Sequence, residues 1–167
     1  PGKALPLLLG ALARIPAPDL DWRLDILGQG PCTPSWRRQA ARLRVDDRCA
    51  WLGWLPREDA VRRVHDAHLF VITSLKDLTS TVLLEALSQG LPVICPDHCG
   101  FADVVTDQCG IKIPVHSRPQ FERDMAQAVL RLARDEDTRQ AMAAGALRRV
   151  SDFSWEAKAR ALAQIYG

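Results

Sequence analysis

TSLKDLTSTVLLEALSQGLPVICPD, residues 73–97, is the stretch whose reading decides the fold of this 167-residue chain. The apolar run LFVIT at 69–73 reads as a buried strand. Thr79, Ser80 and Thr81 then offer hydroxyls where a helix start needs capping. The spacing of Val82, Leu83, Ala86 and Leu87 predicts a helix over about 80–89. Gly90 supplies its stop, and Leu91 and Pro92 lead into a second buried strand, VIC. The order is strand, polar loop, helix, strand.

A helix that begins after a parallel strand points free backbone N–H groups out of the carboxyl edge of the sheet, with the positive end of its dipole behind them. Such a place suits phosphate. Asp77 and Glu85 flank it, eight positions apart. Carboxylates accept hydrogen bonds and pair well with neighbouring sugar hydroxyls. With a first turn at Ser80, Glu85 lies roughly 8 Å along the axis. A diphosphate can then sit between two hydroxyl-bearing groups, which describes a sugar joined through pyrophosphate to a ribose.

These residues resemble the retaining, nucleotide-sugar-dependent glycosyltransferases of the GT-B fold, the group 1 family. The matching positions are Ser74, Asp77, Thr79, Ser80, Glu85, Ala86, Gly90, Pro92 and Val93, and the resemblance covers nearly the whole chain. It implies that Asp77 takes the place of the catalytic carboxylate that touches the donor sugar. Glu85 would grip the ribose hydroxyls, with the turn amides near Ser80 and Thr81 meeting the diphosphate. Asp77 is one methylene shorter than the family's Glu, and Leu78, Thr79 and Ser80 stand where glycine is common, so Asp77 reads equally as a turn acid.

Other stretches carry the same resemblance. Lys3 precedes the apolar segment ALPLLLGAL, where the family places a pyrophosphate-binding lysine; a terminal charge is the alternative reading. WRLDILGQGP, from Trp22, reads as a strand and a turn at Gly28 and Gly30 that resembles the family's Gly-x-Gly-Pro element, which implies a donor-binding place for Gly28. It lacks the third glycine and the spaced acid of a dinucleotide fingerprint, so it is not read as a NAD site. In the loop around CAWLGWLP, Trp51, Leu52 and Trp54 are candidates for the base, and core packing is the other reading of Trp51. PDHCGFADVV resembles a loop beside the donor sugar and diphosphate, in which Gly100 and Phe101 offer backbone N–H groups and Asp103 stands in an acid's place. Amphipathic segments at 120–133 and 136–150 follow, with Pro119 and Asp135 near their starts. FSWEAKARALAQIY resembles a closing helix that crosses toward a second domain, with Trp155 as an anchor after a capping Ser154.

Composition agrees with one globular domain: 47% hydrophobic and 25% charged. A net charge of +2 is too small to argue for nucleic acid, and no apolar span approaches the ~20 residues of a membrane crossing. Five cysteines, an odd number with no Cys-x-x-Cys pair, argue against a closed disulfide set and for a reducing cytoplasm. Cys95, Cys99 and His98 are weak as a metal set, and no metal or other cofactor is expected.

The expected architecture is α/β: a doubly wound, mostly parallel, Rossmann-like sheet with helices on both faces, one half of a GT-B fold. The resemblance implies that residues 1–167 are the C-terminal, donor-binding domain of a longer hexosyltransferase, inactive alone. The donor would be a UDP-, GDP- or ADP-linked sugar, transferred with retention and without metal. The carbohydrate or glycolipid acceptor would lie on an absent N-terminal domain, in polysaccharide or glycolipid assembly. A cytoplasmic location, with room for peripheral attachment at the inner membrane face, goes with that reading. The alternative is a nucleotide-binding or regulatory domain of the same fold that has lost catalysis.

Overall fold

The computed structural model describes residues 2–16, 18–76 and 81–166. Strands and helices alternate: α1 (Leu5–Leu12), β1 (Leu24–Leu27), α2 (Thr33–Arg42), β2 (Cys49–Gly53), α3 (Arg57–His65), β3 (Phe70–Val71), α4 (Thr81–Ser88), β4 (Val93–Pro96), α5 (Cys99–Val104), β5 (Gly110–Ile113), α6 (Arg118–Arg134), α7 (Glu136–Ser151) and α8 (Trp155–Tyr166). Every strand pair is parallel. β1 pairs with β2, aligning Leu24 with Cys49 and Ile26 with Trp51, and β4 lies between β3 and β5. Parallel strands need helical crossovers, and here the helices bury both faces of the three-stranded β3–β4–β5 sheet, while β1 and β2 form a separate two-stranded sheet.

The period-two alternation of side chains along a strand decides which core each residue joins. On one face Val71, Ile94, Ile111 and Ile113 meet α1 and α6, through Leu8, Leu12, Phe121 and Met125. On the other face Phe70, Ile72, Val93 and Cys95 meet Leu83 and Leu87 of α4, Phe101 of α5 and Ala146 of α7. A third cluster, Leu9, Ala40 and Val45, joins α1 and α2 over Leu24, Cys49 and Trp51 of the β1–β2 pair. α1 thus spans both groups of strands. The doubly wound α/β expectation holds.

Local signals set most boundaries. Ser117 and Gln120 close a capping box at the start of α6, and the Asp135 side chain accepts from the Thr138 N–H at 2.9 Å to start α7. The Ala157 N–H donates to Ser154 Oγ, as expected of a capped start to α8. Two readings need correction. The strand read over 69–73 is regular only at Phe70–Val71; the Ile72 N–H still donates to the Ile94 carbonyl at 3.0 Å, and by Leu75 the backbone donates to Gly2 instead. The stretch read as a loop after β4 contains the short helix α5. Among the described residues no helix is long and apolar enough to cross a membrane.

All five cysteines are free. Burial, followed by Asp46 and Asp47, pushes the Cys49 thiol up to about 11. Burial also pushes Cys95 up to about 12, partly opposed by Lys112. A thiol whose folded pKa is raised favours the native state fully below the unfolded value, 9.0, and loses that contribution as pH rises toward 11–12. Stability measured by urea denaturation should therefore fall between pH 9 and 11, and Cys95→Ala should flatten that fall. Equal slopes for the two proteins would contradict the assignment.

Candidate functional site at the carboxyl edge of the sheet

Three segments far apart in sequence meet where β3 ends. The Thr73 hydroxyl donates to the Lys3 carbonyl at 2.8 Å, and the Leu75 N–H donates to the Gly2 carbonyl at 3.1 Å. From the other side, Cys99 Sγ lies 3.8 Å from the Leu75 carbonyl oxygen. Ser74 sits between these fixed neighbours. It is 2% exposed, and its Oγ has no hydrogen-bond partner among the described residues. A buried hydroxyl left unpaired costs free energy that a polar ligand atom would restore.

The turns here hold unusual backbone. Ala4, just before α1, and Cys99, the first residue of α5, have φ of 47° and 57°. This left-handed region costs residues with a Cβ about 1–2 kcal/mol each. β1 and β2 end similarly, but on glycines. Gly28 and Gly53 have φ of 86° and 64°, and the Gly28 N–H donates to the Gly53 carbonyl at 2.6 Å. The Gly28 amide is therefore spent within the fold. A Cβ at Gly28 would meet nothing within 4 Å, so glycine serves conformation there and not space.

α4 starts at Thr81, and its exposed stripe carries Thr81, Val82, Glu85 and Ser88, opposite the buried Leu83, Ala86 and Leu87. Glu85 lies one turn beyond Thr81 on that outer stripe. Its carboxylate makes no hydrogen bond or ion pair with the described residues. Asp77, Thr79 and Ser80 lie outside the described residues. Gly100 and Phe101 are in the first turn of α5, and the Phe101 side chain is core, leaving its backbone as the part that can face a ligand.

For the base, the structure redistributes the sequence candidates. Trp51 packs against Leu9, Ala40 and Val45, and the Arg37 guanidinium lies 5.3 Å from its ring centroid. Leu52, its neighbour, faces α3 beside Leu55 and Arg62. Trp54, just past the end of β2, is 76% exposed and leaves its ring free for stacking. Trp155, read as a packed anchor, is 88% exposed.

Sequence reasoning left Lys112 unread. It stands one residue before the end of β5, donates to the Ala102 carbonyl at 3.2 Å and lies 4.0 Å from Asp97. Cys95 points into the core while Cys99 points to Leu75, so the thiols read as a weak metal set do not converge. Among the described residues no group of three or more His, Cys, Asp or Glu is placed to hold a metal.

A family model for glycosyl transferases, group 1, matches residues 1–149. The D-inositol 3-phosphate glycosyltransferase of Kribbella flavida is 30% identical over 99% of this chain, which covers 41% of that protein. The enzyme of the same name from Corynebacterium glutamicum is 29% identical over 89% of this chain and 36% of its own length. The chain thus spans about two fifths of the length of these two relatives. Among solved structures, WaaG, a glycosyltransferase involved in lipopolysaccharide biosynthesis, superposes with a TM-score of 0.76 at 25% identity, over 90% of this chain and 40% of that one. The pneumococcal O-GlcNAc transferase GtfA, solved with UDP and GlcNAc, gives 0.78 at 23% identity over 91% and 30%, a likeness of fold alone.

Proposed function

The chain belongs to the group 1 glycosyl transferases, and from that membership we propose that it is the donor-binding domain of a longer enzyme that moves a sugar from a nucleoside diphosphate to an acceptor. The bond broken joins the anomeric carbon to the terminal phosphate oxygen. The bond formed joins that carbon, on the same face, to an acceptor hydroxyl, whose proton leaves toward the departing diphosphate. The acceptor is a carbohydrate or glycolipid held by another domain. The nucleoside is uridine, guanosine or adenosine.

The observation that carries this reading is the unpartnered, buried Ser74 hydroxyl at the carboxyl end of β3, next to Thr73, whose hydroxyl donates to the Lys3 carbonyl. Ligands of open α/β sheets bind along that edge. The α4 dipole and the Lys3 ammonium supply positive potential for a departing diphosphate, so departure needs no bound cation in this scheme. Glu85 accepts from the ribose hydroxyls, Trp54 offers its face to the base, and Asp77 is assigned to the donor sugar.

Calorimetric titration with UDP, GDP and ADP tests the assignment. One of the three should bind, and Glu85→Ala should weaken it by about 10- to 100-fold, the worth of one or two hydrogen bonds to a charged group. The 2′-deoxy analogue of the same nucleotide should lose much less on that substitution, because one of the hydroxyls is already gone. Absence of binding by the folded protein to all three nucleotides sinks the reading. The shortened Asp77 and the glycine-free turn after it favour one competitor, a domain that binds donor without catalysis. An intact protein that binds donor yet neither transfers nor hydrolyses it would establish that competitor.

A further inference from the structure

α5 is six residues long, has no glycine at its end, and leads into an extended Val105. The last four carbonyls of a helix need partners from outside it. Here all four are satisfied. The Phe101 carbonyl accepts from the Val105 N–H at 2.8 Å, and the Ala102 carbonyl from Lys112 Nζ at 3.2 Å. The Asp103 carbonyl accepts from Arg149 Nη2 at 2.7 Å, and the Val104 carbonyl from Arg149 Nε at 2.9 Å. Two cations, one from β5 and one from α7, therefore close the negative end of a single short helix.

Both cations are themselves held. The Arg149 guanidinium also donates to Asp152 at 2.9 Å and lies 4.9 Å from the centroid of the Phe153 ring. Lys112 reaches Asp97, ahead of the helix, as well as Ala102 within it. The opposite end of α5 is the left-handed Cys99, seated against Leu75 next to the unpartnered Ser74. Strained backbone persists only where the surroundings over-determine it.

We propose that Lys112 and Arg149 are positioning residues of the donor site: by capping α5 they keep its Cys99 end against Leu75 and so set the affinity for the diphosphate part of the donor. This rests on the donor-site reading above. Neither residue touches the ligand in this scheme. Both act through the placement of residues 97–101 relative to residues 74–75.

The test uses the intact protein, with Lys112→Met as the milder variant and Arg149→Met as the stronger. Whichever of UDP, GDP and ADP binds wild type is titrated into each, alongside the matching nucleoside monophosphate. Affinity for the diphosphate should fall by about fivefold to tenfold and that for the monophosphate by less than about twofold, with Lys112→Arg restoring most of the loss. Hydrogen exchange at the amides of 100–105 should accelerate selectively. A general loss of stability does not separate the two ligands in that way. Unchanged diphosphate affinity in folded Lys112→Met, with faster exchange at 100–105, would reduce the clamp to a structural cap and overturn the proposal while leaving the donor site intact. Failure of wild type to bind any of the three nucleotides would instead overturn the donor reading and this role together.

Discussion

Gly145→Ala should destabilise the domain by about 4 kcal/mol or more, at the far end of what one substitution does. Propensity alone says the opposite, since alanine in a helix interior is favoured over glycine by about 1 kcal/mol. Contact decides the sign. A Cβ at Gly145 would lie 1.8 Å from the Gln108 carbonyl oxygen and 2.7 Å from its carbon, both backbone atoms that cannot rotate aside. α7 would have to lift off the turn that feeds β5, taking the buried Met142 and Ala146 with it. The same turn is pressed from its other side, where a Cβ at Gly110 would meet the Val93 carbonyl oxygen at 2.1 Å. Urea denaturation of Gly145→Ala measures the cost. A variant as stable as wild type would mean that α7 can slide without loss, and the packing account of this face would fail.

How legible the fold is depends on the range of the interactions that make it. Asp135 and Ser154 cap helices three residues away, and the strand-helix alternation follows from local apolar periods, so these parts are readable in sequence. Past β3 the chain turns to the N-terminal segment, with the Leu75 N–H donating to the Gly2 carbonyl and the Thr73 hydroxyl to the Lys3 carbonyl, contacts across some 70 residues that no local pattern encodes. α5 was invisible for a similar reason. Six residues that begin on a left-handed cysteine carry no helical stripe, and the cations that complete the helix come from 10 and 45 residues downstream.

The site divides along the same line. Lys3, Ser74 and Glu85 are candidates through a motif, and the structure puts the Lys3 backbone and Ser74 at one strand end with Glu85 on the outer stripe of the following helix. Trp51 and Trp54 differ by three positions, and only the tertiary packing of β2 under α1 and α2 reveals which ring is spent on the core. Gly28 reads from the sequence as a turn glycine and a donor-binding candidate. That its amide is already committed to Gly53 could be learned only from the pairing of the two strand ends.

Gly10 and Glu122 should behave as one unit, with the pair of substitutions far milder than the sum of its parts. Glu122, 6% exposed, is the buried acid of α6 and lies against α1, where Arg14 approaches at 3.2 Å and Arg118 at 2.7 Å. It fits because α1 has glycine at the crossing: a Cβ at Gly10 would stand 2.4 Å from Glu122 Oε1 and 2.5 Å from its carboxyl carbon. Two arginines pin that carboxylate, so it cannot swing away without leaving a buried charge poorly paired. Gly10→Ala should therefore cost about 3 kcal/mol, in the range for disrupting a buried ion pair. Glu122→Ala should cost less, about 1–2 kcal/mol, because both arginines are already partly exposed and can turn to water while a cavity remains beside Gly10. In the double variant the new methyl group fills the space the carboxylate vacated. A coupling of about 2 kcal/mol in the restoring direction is expected from the denaturation midpoints of the four proteins. Additive effects would show that Gly10 and Glu122 do not share the crossing of α1 and α6, and that the glycine is there for some reason other than room for the acid.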